Sequence, residues 1–129
     1  MRKIIKTDQA PAPVGPYNQA VVASGAMLFV AGQIPLDAAS GQLVGTTIAE
    51  QTEKVMQNLT AVVKAGGSSL SDVVKTSVFL KDMNDFAAMN EVYAKHFSDE
   101  ANAPARACVE VARLPKDVLV EIECLAYTS

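Results

Sequence analysis

The chain has 129 residues, half of them hydrophobic, with 11 basic against 14 acidic side chains and a net charge of −3. That length suits one domain spanning residues 1–129, with enough core to fold without disulfides or metal, and the unclustered, slightly negative charge disfavours nucleic acid as a partner. Cys108, Cys124 and the single His96 lack the spacing of a zinc site, and no apolar stretch is long enough to cross a bilayer.

Arg2, Lys3 and Lys6 open the chain, but Asp8 and Pro11 interrupt it before any apolar run of signal-peptide length, so no cleaved signal is expected. Residues 7–19 hold three prolines and a glycine and predict an ordered loop. Ala20 to Ala23 and Met27 to Ala31, separated by Ser24-Gly25-Ala26, read as a β-hairpin, and Asp37 to Gly45 as a loop. Thr47 and Glu50 match a capping box. The helix it predicts carries Ile48, Thr52, Val55, Met56, Leu59, Val62 and Val63 on one face and stops at Gly66-Gly67. Val73 to Leu80 suits a strand. A second helix, capped by Asp82 or Asn84, aligns Phe86, Met89, Asn90, Tyr93 and Phe97. Arg106 to Ala112 and Val118 to Tyr127 are the last strands, joined by a turn around Leu114-Pro115-Lys116-Asp117.

This order predicts an α+β fold, a mixed sheet with both helices on one face. Alternation sets Val74, Val78 and Leu80 against Val73 and Phe79, and Val118, Val120 and Ile122 against Leu119 and Leu125, so both faces are apolar. The face without helices is therefore expected to meet other copies of the chain.

Three stretches are more specific: Ala10-Pro11-Ala12-Pro13-Val14-Gly15-Pro16-Tyr17, Ala31-Gly32-Gln33-Ile34-Pro35, and the run from Pro104 through Arg106 to Asp117. With Asn84-Asp85-Phe86, Asn90-Glu91-Val92-Tyr93 and Glu121-Ile122-Glu123, the chain resembles the RidA (YjgF) family of reactive-intermediate deaminases over nearly its whole length. The resemblance implies a chorismate-mutase-like fold, a homotrimer with a central barrel, and sites in the clefts between subunits. It also implies a cytoplasmic protein, or a mitochondrial one in a eukaryote, that hydrolyses 2-iminobutanoate and 2-iminopropanoate to 2-keto acids and ammonia without a cofactor. A trimer that binds small carboxylates without turnover shares every one of these residues. Ribonuclease or translation-inhibitor activity, and a chaperone role, are further alternatives.

Arg106 stands at the start of a strand on the same side as Cys108 and Glu110, and its guanidinium forms a permanent fork suited to a carboxylate. From the residues alone, an ion pair at a sheet edge is the competing reading; the family motif assigns Arg106 to the substrate carboxylate. Glu121 lies in an apolar strand, and its family counterpart orients the attacking water. It shares a face with Arg106 only if the last two strands pair with Cys108 opposite Glu121. Tyr17 is a site-lining residue by resemblance, or else a loop anchor. Asn90 interrupts an apolar stripe; the family places it near a neighbouring subunit's site, and a helix-to-loop hydrogen bond is the alternative. Gly32 presents its amide closely to a ligand, with Ala31 standing where the family often has Ser. Cys108 is read as a packed thiol lining the pocket, Cys124 as core, Glu123 as solvent-facing, and His96 as carrying no chemistry.

Overall fold

The computed structural model describes residues 1–128. Helix α1 (Ile48–Ala65) begins at a complete capping box, the Glu50 amide donating to Thr47 Oγ1 at 3.2 Å while Glu50 Oε1 accepts from the Thr47 amide at 3.2 Å. Gly67, at φ 80°, takes the left-handed turn that ends it. Thr52, Val55, Met56, Leu59 and Val63 are buried as the spacing predicts, but Val62 turns outward and is 38% exposed. Gln51 is buried instead, because its amide has two partners: Oε1 accepts from the Leu119 amide at 2.8 Å and Nε2 donates to the Gly45 carbonyl at 3.2 Å.

Strands β1 (Arg2–Ile5) and β2 (Ala20–Ala23) pair antiparallel as a small separate sheet. The main sheet holds β3 (Ala26–Gln33), β4 (Val73–Leu80), β5 (Ala105–Glu110) and β6 (Val120–Thr128) in the order β3-β6-β4-β5. Helix α2 (Phe86–His96) links β4 to β5, preceded by a short turn in which Asp82 accepts from the Asn84 amide. Both expected hairpins are corrected. Segment 20–23 pairs with the N-terminal strand, and β3 pairs with β6, so Ser24-Gly25 makes a bend between two sheets. Arg2 anchors this arrangement through Nε to Asn102 Oδ1, Nη2 to the Asn102 carbonyl and Nη1 to the Val73 carbonyl, at 2.7 to 2.8 Å. Strands β5 and β6 do not pair either: β4 lies between them, antiparallel to β6 and parallel to β5. The unit β4-α2-β5 is a crossover, and a helical crossover returns the chain parallel to its starting strand.

Helix α1 packs on β3 and β6 and against α2, and the core draws on both helices and one sheet face, with Val30, Val78, Leu80, Val120, Ile122 and Cys124 all buried. A register shift between Val73 and Lys75 also moves Val73 onto this face, beside Ala126, contrary to strict alternation. The other face has no helix. Phe29 is 73% exposed there, with Met27 and Val109 also exposed and Phe79 and Leu125 half-buried.

Candidate active site

The parallel register of β5 with β4 sets Arg106 opposite Thr76 and Cys108 opposite Val78, so both lie on the helix-covered face. Positions 86, 90 and 93 of α2 are one stripe, and all three meet the guanidinium. Arg106 Nη1 donates to Asn90 Oδ1 at 2.6 Å, and its Cζ lies 5.5 Å from the Phe86 ring centroid and 4.9 Å from that of Tyr93. Tyr17 supplies a third ring at 5.3 Å. Among the described residues no carboxylate lies within ion-pairing distance of Arg106, so the sheet-edge ion pair is not the arrangement found.

Tyr17 is held in place by its own loop. The Val14 amide donates to its hydroxyl at 3.1 Å, and its amide donates to the Gly15 carbonyl at 2.8 Å. Next to it, buried Asn18 donates through Nδ2 to the carbonyls of Ala103 at 2.8 Å and Glu100 at 3.1 Å, which ties the proline-rich loop to the start of β5. Gly15 lies close against the guanidinium: a Cβ there would stand 3.1 Å from Arg106 Nη2, so the guanidinium would have to shift by a few tenths of an ångström to admit it. Beneath the guanidinium, fully buried Tyr93 shares a 2.7 Å hydrogen bond with Thr76, and burial pushes its phenol up to about 12. The resulting cavity, of about 240 Å³, is bounded by Val14, Tyr17, Met83, Phe86, Arg106 and Cys108. The Cys108 thiol is pushed up by burial, against the opposing pull of Arg106, which keeps it protonated and a poor nucleophile.

Glu121 and Gly32 stand elsewhere. Glu121, on β6, pairs with Phe79 of β4 and so projects from the open face, away from Arg106. Irregular pairing between Val30 and Gln33 brings Gly32 under the Glu121 carboxylate, where a Cβ would overlap it. Burial raises the Glu121 carboxyl above the ordinary range, and the Glu123 charge adds to the shift. Within one chain the expected site residues thus fall into two groups, Arg106, Tyr17, Asn90 and Cys108 on one face and Glu121 and Gly32 on the other. Asn90, expected beside a neighbour's site, contacts the arginine of its own chain.

Phe86, Tyr93, Gly15 and Asn18 were not read as site residues. Phe86 and Tyr93 fit the apolar stripe as core; Gly15 and Asn18 act through contacts to distant segments that no local pattern marks. His96 pairs with Glu53 at 2.8 Å between the helices, holding the Glu53 carboxyl below its usual range, and buried Cys124 is pushed up to about 12 by desolvation. Among the described residues no cluster of three or more His, Cys, Asp or Glu is placed to hold a metal, and no helix is long and apolar enough to cross a membrane.

The family model described as Endoribonuclease L-PSP matches residues 7–128. The chain belongs to the RidA (YjgF) family. Within the family it is 62% identical to a RutC family protein of Synechocystis, over 96% of this chain and 95% of that protein. It is 48% identical to the 2-iminobutanoate/2-iminopropanoate deaminase of Salmonella typhimurium, over 98% of each. The crystal structure of Escherichia coli TdcF with bound serine superposes with a TM-score of 0.73 at 47% identity, covering 98% of this chain and 99% of that one. The α+β family fold, with two helices on one face of a mixed sheet, is the fold this chain adopts.

Proposed function

We propose that this protein hydrolyses reactive 2-imino acids such as 2-iminobutanoate and 2-iminopropanoate to 2-keto acids and ammonia, as a homotrimer whose sites lie between subunits. The observation that carries this reading is the Arg106 guanidinium: set in a small, mostly apolar cavity, it keeps Nε and Nη2 free of hydrogen bonds to the described residues. A fork so presented suits a carboxylate attached to a short aliphatic group. The deaminase relative supports the same chemistry, and a cavity of about 240 Å³ with one cation suits a small acid better than a polynucleotide.

Arg106 fixes the carboxylate and thereby the imine carbon next to it. A protonated imine is already electrophilic, so positioning and charge placement supply most of the acceleration. Water adds to C2 and gives a tetrahedral amino alcohol; Glu121 takes the water proton and returns it to nitrogen. The C–N bond then breaks, ammonia leaves, and the hydroxyl oxygen becomes the keto oxygen as its proton passes to the freed Glu121 carboxylate and on to the departing ammonia or solvent. A carboxyl raised by burial holds that proton more readily than an ordinary glutamate. Since Glu121 and Arg106 face opposite ways within a chain, the Glu121 that meets a given Arg106 belongs to a neighbouring copy, and the exposed apolar face around Phe29 is the surface those copies share.

The test generates imine in place with a threonine dehydratase and follows its loss by semicarbazide trapping. Wild type is expected to speed ketoacid formation, and Arg106→Ala to lose the acceleration while keeping its fold by circular dichroism. Near-normal rates in that variant overturn the assignment. Tight keto-acid binding without faster imine loss in the wild type identifies a binder instead.

A further inference from the structure

Arg106 is held without being neutralised. Its three ring neighbours, Tyr17, Phe86 and Tyr93, offer π faces, and its one hydrogen-bond partner among the described residues is the amide oxygen of Asn90. Buried or half-buried arginines are ordinarily paired with a carboxylate, which satisfies the fork and cancels the charge. Among the described residues no nearby acid pairs with it: Glu110, farther along β5, accepts from the Met83 amide at 2.9 Å, Glu91, next to Asn90 on α2, is exposed, and Glu121, on β6, projects from the other sheet face. The Tyr93 ring is kept in place by the Thr76 hydrogen bond at full burial, so the floor of the cradle is rigid as well as uncharged.

We infer that Asn90 is a positioning residue whose neutrality is its function: it orients the guanidinium through Oδ1 while leaving the whole positive charge to the bound carboxylate. This rests on the proposed function, because it assumes that the ligand is an acid. Its consequence differs from that of a purely geometric role. Aspartate is nearly isosteric with asparagine and keeps an acceptor 2.6 Å from Nη1, so on geometric grounds Asn90→Asp is the mildest change available. On electrostatic grounds it is the worst, since the new carboxylate occupies the fork and repels the ligand's own.

The experiment compares wild type, Asn90→Asp and Asn90→Ala for binding of 2-oxobutanoate by calorimetry at neutral pH, and in parallel for imine turnover. Asn90→Ala is expected to weaken binding about threefold, through a less constrained guanidinium, and Asn90→Asp at least about tenfold, with KM rising more than kcat falls. Binding in Asn90→Asp equal to or tighter than in Asn90→Ala overturns the inference, as does failure of the wild type to bind the keto acid. Binding in the expected order without turnover in any form upholds the cradle and refutes the deaminase reading instead. Circular dichroism of each variant separates misfolding from the charge effect, and a folded Asn90→Asp that binds normally ends the argument.

Discussion

Gly32→Ala adds one methyl group at the point where β3 passes beneath Glu121. The new Cβ would overlap the carboxylate and stand 2.8 Å from Glu121 Cδ, closer than real carbon atoms approach, and a tight 3.1 Å from Cγ. The neighbour that must yield is the end of a half-exposed side chain, so the strain is relieved by rotating Glu121 at a cost of about 1 kcal/mol in a displaced rotamer. The fold should absorb this with a small fall in Tm. Catalysis should not, because moving the proton-carrying carboxylate by about 1 Å is the kind of misplacement that costs on the order of a hundredfold in rate. Arg106 of the same chain lies on the opposite sheet face and is untouched, so the loss should fall more on kcat than on KM for the imine. Steady-state rates in the dehydratase-coupled assay, with thermal unfolding of the same samples, measure the two effects separately. A kcat within about twofold of wild type, in a variant that remains folded, would refute both the placement of Glu121 and its role.

Thr52 is fully buried and its Oγ1 has no hydrogen-bond partner among the described residues, so Thr52→Val, which keeps the shape and removes the polar atom, is expected to stabilise the fold by about 1 kcal/mol and to raise Tm in calorimetry. For Glu121 acting as a base, kcat/KM should rise with pH through a carboxyl raised first by burial and then by Glu123; Glu123→Gln removes one cause, so the acid limb should move to lower pH. The linked stability has a definite sign: a carboxyl raised in the folded state stabilises it below the unfolded value, and this is lost as pH rises through the folded one, so Glu121→Gln should help most at neutral pH and above. Phe29→Glu places a charge on the open face, where the native ring is 73% exposed, and should lower the mass seen by light scattering from that of the proposed trimer toward one chain.

Local chemistry marked the start of the first helix well, whereas the second begins after Asp85 without a side-chain cap, Asp82 capping the turn before it instead. Thr47 and Glu50 identify the start of α1 because a capping box is satisfied within four residues, and the buried face follows from the 3.6-residue period. Strand partners are a different matter. Nothing within residues 20–33 distinguishes a hairpin turn at Ser24-Gly25 from a bend between sheets, because the deciding contacts are those of Arg2 with Asn102 and Val73. The irregular pairing beside Val74 and the inward turn of Gln51 escape the periodic patterns for the same reason: each depends on partners far along the chain. In the candidate site, Arg106 stood out as a cation beside a strand start, whereas Tyr93 and Phe86 are indistinguishable from core residues until α2 is laid across β4 and β5.

The sharpest case is the relation between Arg106 and Glu121. Alternation assigns each residue a side within its own strand, but the relative sides of two strands follow from register, and a slip of one residue inverts the answer. With β4 inserted between β5 and β6, Thr76 stands opposite both Arg106 and Cys124, which gives Arg106 and Glu121 opposite parity. An arginine on the covered face and a carboxylate on the bare face are useless to each other inside one molecule. The same bare face carries the exposed Phe29, so on the proposed function the surface expected to meet a second chain also carries the carboxylate proposed to act on that chain's substrate. The proposed function therefore makes assembly and catalysis one requirement and predicts that a variant that separates the copies loses activity even with Arg106, Glu121 and the fold intact.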